Sequence, residues 1–218
     1  MKAVHHVIGI SALLFATSIA WAASFDCHKA RTPSEKLICS DPSLSKLDED
    51  LNAAYKRALE SGQDKTLIRH WQREWLTSYS VTSCTTVVCL KEAFSLQIKL
   101  LNQVALPNAE TATWSGRYVR YWNGKEDRHT ASILLIGLTG ERVFATGSAL
   151  WFGPNAHIGQ VHTGEIEGVG KLQNQRLLMD SMEDCKASMK RKGILLVVDE
   201  ESGCGGLNVT FLGEYRKK

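Results

Sequence analysis

Six cysteines constrain this chain more than any other feature: Cys27, Cys39, Cys84, Cys89, Cys185 and Cys204 all lie beyond an apolar leader. Lys2 and two histidines make a weakly positive start, and an apolar run follows from about Val7 to Ala20. Ala20-Trp21-Ala22 then fits the small-x-small pattern read by signal peptidase. The run is short for a membrane span and polar sequence follows at once, so residues 1–23 read as a signal peptide cleaved after Ala22 or Ala23. An uncleaved anchor is the alternative. Cleavage leaves no membrane anchor and directs the chain to a periplasmic or secreted location, where an even number of cysteines reads as disulfides. Zinc competes for the same residues. However, eleven residues separate Cys27 from Cys39, four separate Cys84 from Cys89, and no CxxC or paired-histidine pattern supports a metal. Closing a short loop costs least entropy, which favours Cys27–Cys39, Cys84–Cys89 and Cys185–Cys204.

Up to Pro107 the apolar residues recur at helical spacing. Thr32-Pro33-Ser34-Glu35 is a helix start: the Thr32 hydroxyl can accept an N–H, Pro33 needs no donor at N1, and Glu35 can complete a capping box. Asp41-Pro42 ends that helix. Ser45 with Asp48 reads as a second capping box, opening a helix with Leu47, Leu51, Ala54, Tyr55 and Ala58 on one face. A third helix begins near Asp64 and carries Leu67, Ile68, Trp71, Trp75 and Tyr79. Residues 80–86 read as a turn. A fourth helix carries Leu90, Ala93, Phe94, Ile98, Leu101 and Val104. One apolar face per helix predicts a small disulfide-linked bundle over residues 24–106.

Phe25-Asp26-Cys27, Glu35, Ile38-Cys39, Leu47-Asp48, Tyr55, Gln72-Arg73, Trp75-Leu76 and Cys84-x4-Cys89-Leu90 form an ordered set. It resembles the N-terminal domain of LprI-type lysozyme inhibitors, over about residues 24–104. The segment just before Cys84 is less charged than in that pattern. The resemblance implies a helical, disulfide-linked, exported domain whose partner is a lysozyme.

Beyond Pro107-Asn108 short alternating runs replace the helical period. Strands are expected over Trp114–Tyr121, Ala131–Gly137, Arg142–Leu150, Gly164–Val169, Leu172–Asp180, Ile194–Asp199 and Leu207–Tyr215, with hairpin turns at Asn123-Gly124 and Thr139-Gly140. Trp114-x-Gly116-x-Tyr118 near the start is echoed by Phe211-x-Gly213-x-Tyr215 near the end. Residues two apart share a strand face. Pairing of the first and last strands, each glycine admitting an aromatic ring across the seam, would close a small barrel over residues 111–218. The whole is therefore expected to be an α+β protein: a disulfide-linked N-terminal helical bundle followed by a small antiparallel, lipocalin-like β barrel.

No catalytic constellation is visible. GxSxG and HExxH are absent, and assignment of every cysteine to a bridge leaves no thiol nucleophile. His157 and His162, with Glu165 and Glu167 after them, would make an incomplete metal site in a loop. His70 and Glu74 share a helix face and are expected to pair. Gly203-Cys204-Gly205-Gly206 lacks the Lys-Ser/Thr and helix of a phosphate loop, and no cofactor motif appears. The net charge of +3 carries no basic stripe for nucleic acid, and Lys186, Lys190, Arg191 and Lys192 read as a solvated loop. The remaining expectation is a non-enzymatic binding protein that occludes the lysozyme cleft, whose two carboxyl groups hydrogen-bond donors can reach. Ser115-Gly116-Arg117-Tyr118 is similar, one residue short, to a Ser-Gly-x-basic-Tyr loop of another class of periplasmic lysozyme inhibitors. This makes Ser115 and Arg117 candidate contacts, although the alternation at Trp114, Gly116 and Tyr118 favours reading the segment as the first barrel strand. The alternative function is an envelope module whose barrel holds a small apolar or glycan ligand while its helices dock a partner.

Overall fold

The computed structural model describes residues 23–180 and 185–218. Residues 1–22 of the expected leader lie outside the described residues, and Ala23 is buried in the helical core. The fold is mixed helix and sheet with a closed antiparallel barrel of eight strands. The helices are α1 (Pro33–Ser40), α2 (Pro42–Glu60), α3 (Lys65–Thr77), α4 (Tyr79–Thr82) and α5 (Val87–Leu101). The strands are β1 (Gly116–Trp122), β2 (Lys125–Glu126), β3 (Ala131–Leu138), β4 (Arg142–Phe152), β5 (Val161–Gln173), β6 (Arg176–Asp180), β7 (Lys186–Lys192), β8 (Leu195–Ser202) and β9 (Gly213–Lys217). Strands β3 to β9 follow one another in space, and β1 closes the ring by pairing with both β3 and β9. The two-residue β2 hangs from β1 as a short hairpin arm.

The capping box at Thr32 forms in both directions: Thr32 Oγ1 accepts from Glu35 N, and Glu35 Oε2 accepts from Thr32 N. The second box does not form. Helix α2 starts earlier, with Pro42 at N1 and Asp41 capping the Ser43 and Leu44 N–H groups. Ser45 and Asp48 are instead buried inside it, donating to Ile38 O and accepting from Ser24 N. A short helix, α4, fills the expected turn before Cys84, where Ser78, Ser80 and Thr82 make local hydrogen bonds.

All three disulfides close locally: Cys27–Cys39, Cys84–Cys89 and Cys185–Cys204. They belong to an oxidising, extracytoplasmic environment. Among the described residues no cysteine is free. Among the described residues no helix is long and apolar enough to cross a membrane.

Two cores meet at β3. Its inward residues Ile133 and Leu135 join the barrel core with Tyr118, Val143, Ala145, Leu177, Met189, Leu196, Phe211 and Tyr215. Its outward residues Leu134, Ile136 and Leu138 join the helical core with Leu44, Ile68, Trp71, Leu90 and Phe94. A strand buried on both faces must be apolar throughout, which is why this segment reads Ile-Leu-Leu-Ile without alternation. Phe144 on β4 extends the contact, its ring centroid 5.3 Å from that of Trp71. The helices thus pack on the outer wall of the barrel.

The first and last strands pair as the echo predicts, with Arg120 opposite Tyr215 and Tyr118 opposite Lys217. Each tyrosine donates its hydroxyl to the carbonyl four residues back, Tyr118 to Trp114 and Tyr215 to Phe211. The glycines serve a different purpose from the one expected. Gly116 makes room for the Lys217 stem and Gly213 for that of Arg120, not for aromatic rings. Leu207 is not in a buried strand but exposed in the loop before β9. The basic cluster is not a loop either. It belongs to β7, whose Ala187 and Met189 face the barrel core. The expected break near Gly170 is absent because β5 runs through it, and the turn lies at Asn174-Gln175, both at positive φ.

Candidate functional site

Chain direction gives the barrel two unlike ends. The end carrying the β3–β4 turn abuts the linker from α5, where Ala105 N donates to Gly137 O. The opposite end carries the β4–β5 loop and the stretch after Cys204.

Arg120 sits inside that open end, almost wholly buried. It donates to Asp127 Oδ2 at 2.8 Å, to His129 O at 2.6 Å and to Thr210 O. Three acceptors compensate a buried guanidinium, and the network fastens the segments 127–129 and 208–212 to β1. Above it lies a groove of about 360 Å³, lined by Trp122, Arg128, His129, Leu150, Trp151, Asn208 and Leu212 among others.

The aromatic groups around the groove are held in place. His129 stacks on Trp151 with centroids 6.2 Å apart and planes 10° from parallel. Its Nδ1 accepts from Phe152 N at 3.1 Å, which places the proton of the neutral ring on Nε2. Trp151 also meets His162, centroids 5.0 Å apart, and His162 Nδ1 donates to Leu207 O. Trp122 is 68% exposed, Ile158 66% and Leu207 73%. Tryptophan in the open beside other apolar groups is what protein-binding surfaces present.

The loop between β4 and β5, residues 153–160, extends from the last strand pair, Phe152 with Val161. It is bound to itself. Ala156 N donates to Gly153 O, Ile158 N and Gln160 N both donate to Asn155 O, and Gly159 N donates to Ala156 O. His157 Nδ1 lies 3.2 Å from Pro154 O. A single 3-10 turn with Gly159 in the left-handed region forms its tip. His157 and Ile158 are therefore displayed on an ordered scaffold. The described residues contain no cluster of three or more potential metal ligands, at these histidines or elsewhere.

The two candidate contact residues fall at the other end, where both border one cleft, Ser115 buried and Arg117 exposed. Ser115 is buried at the end of a 3-10 turn before β1. Its hydroxyl donates to Gln63 Oε1 and accepts from Gly137 N, each within 2.8 Å. Arg117 lies exposed on β1. His70 and Glu74 meet on α3 as expected, with Nε2 and Oε1 3.0 Å apart.

The groove residues carried no local signal. Trp122, His129, Trp151 and Asn208 are dispersed over some ninety positions of sequence, and barrel closure alone brings them together. The barrel interior is filled by its own side chains, Tyr118, Met189, Phe211 and Tyr215 among them, each nearly inaccessible to solvent. An internal ligand would have to displace that core.

Comparison of the chain with protein-family models, with curated proteins and with solved structures finds no match.

Proposed function

We propose that the protein is an exported, non-catalytic inhibitor that binds a lysozyme and occludes its cleft with the loop 153–160. The observation that carries this reading is an ordered loop, with His157 and Ile158 at its tip, standing on a filled barrel at the end that also carries exposed Trp122 and Leu207. An inhibitor must hold its inserted group in place before binding, because ordering a loose loop would consume affinity. An imidazole can donate to a carboxylate in a glycosidase cleft, and the apolar rim supplies buried area. The LprI-type resemblance of residues 24–106 agrees with this function, and the leader and the disulfides agree with a periplasmic or secreted location.

The test is lysis of peptidoglycan by c-type, g-type and i-type lysozymes with and without the oxidised protein. Stoichiometric inhibition of one type is expected. His157→Ala with Ile158→Asp should abolish that inhibition while leaving the thermal midpoint unchanged. A folded protein that inhibits none of the three ends this reading.

A further inference from the structure

A second concavity lies at the helix-side end of the barrel, between the β1–β9 seam and the start of α3. It has a volume of about 480 Å³, and its lining includes His70 and Arg73 from α3, Arg117 from β1 and Lys217 from β9. Leu67, Pro107 and Ala112 add apolar wall.

Its charge is unbalanced. Among the described residues, Arg73, Arg117 and Lys217 have no ion-pair partner, whereas Lys218, also at the cleft, is neutralised by Glu126 at 2.8 Å. Among the described residues the only carboxylate in the lining is Asp64. It is engaged in capping α3, accepting from Thr66 N at 2.8 Å and from Leu67 N at 3.4 Å. Mutually repelling cations gathered in one cleft lower stability unless something is gained by the arrangement.

Lys217 is built into this position. It shares a strand face with Tyr215, and its stem crosses β1 over Gly116, where a Cβ would collide with it. Burial lowers its pKa and the nearby Arg191 lowers it further, outweighing the opposing pull of Asp64. Arg191 is itself held there by Thr113 Oγ1 and by the face of Trp114, so it cannot simply swing away.

We propose that this cleft is a binding site for a small multiply charged anion, carrying phosphate or carboxylate groups, held between Arg73, Arg117 and Lys217. The guanidinium forks of Arg73 and Arg117 suit planar carboxylates and phosphate edges, and Lys217 supplies a point charge from the opposite wall. The volume falls in the range of small-molecule sites. The site is distinct from the loop 153–160, so inhibition of lysozyme and anion binding can fail independently.

The experiment is calorimetric titration of the oxidised protein at low ionic strength, with inorganic pyrophosphate and citrate as separate probes. Binding of at least one of them at a single site is expected, weakening as salt is added. Pyrophosphate alone would assign the site to phosphate ligands and citrate alone to polycarboxylates. The double variant Arg117→Gln, Lys217→Gln should lower the affinity by about tenfold or more, as loss of two charge-assisted contacts requires. Both residues are exposed, so folding is preserved. Lys171→Gln, which removes an exposed cation on β5, should change nothing. No heat from either probe at millimolar concentration, or equal affinity in the double variant, overturns the assignment.

Discussion

Replacing Gln63 by methionine tests how the helices are joined to the barrel. Gln63 lies between α2 and α3 and is 7% exposed. Its Nε2 donates to Ala105 O at 2.7 Å and to Gly137 O at 3.1 Å, and its Oε1 accepts from Ser115 Oγ at 2.7 Å. Methionine keeps the length of the side chain and removes both polar functions. Gly137 O would keep its bond from Ala105 N. Ala105 O and the Ser115 hydroxyl would each lose a partner in a buried junction. A buried polar group left unpaired costs about 1–3 kcal/mol. Two such groups, offset by about 1 kcal/mol for the more apolar side chain, give a net loss of about 1–5 kcal/mol. For a chain of this size that lowers the thermal midpoint by roughly 2–20 °C. Urea unfolding should show a lower midpoint with an unchanged slope. Ser115→Ala should be strongly non-additive with Gln63→Met, because both break the same bond. A Gln63→Met variant within about 0.5 kcal/mol of the parent, or strict additivity of the pair, would refute the idea that this network joins the two parts.

Two further outcomes follow from the packing and the electrostatics. Ile136 is fully buried on the outer face of β3, so Ile136→Ala should cost about 2–5 kcal/mol in urea unfolding, whereas an interface of loosely attached helices would register almost nothing. Asp199 is pushed up by burial, but hydrogen bonds from Lys190 and Arg176 outweigh that and hold its carboxyl below the usual range. It bridges two cations that face each other across β6 and β7. A depressed folded pKa gives stability that is present above the unfolded value of about 3.9 and lost as pH falls through the folded one. Asp199→Asn should therefore destabilise by up to about 1 kcal/mol at pH 7, and the deficit should shrink in acid; a deficit of equal size at both ends would reject the ion pairs as its cause.

The residues legible in advance were those whose partners lie close in sequence. Thr32 and Glu35 are three apart, and each cysteine bridges the next cysteine along the chain, so short-range geometry sufficed. Asn123-Gly124, where both residues take positive φ, marked its hairpin for the same reason. The paired ends of the barrel were readable because a motif was repeated, although the glycines' use for Lys217 and Arg120 was not. The strand β7 was hidden because its charged residues looked like loop. Two of them, Lys186 and Lys190, are neutralised by Asp180 on β6 and Asp199 on β8.

By itself, then, the sequence determined the local closures, the cap at Thr32, the hairpin turns and the pairing of the first strand with the last. Each of these is decided by residues near one another or by a period along a strand. The tertiary structure alone decided that β3 is buried on both faces, that Ser115 is locked into a junction, and that Trp122, Trp151 and His129 share one groove. It alone decided that Arg73, Arg117 and Lys217 share another. These contacts join residues far apart in the chain, and no local preference encodes them. They exist because the barrel closes and the helices cover one side of its wall, after which burial and unpaired charge are set by what each position then faces.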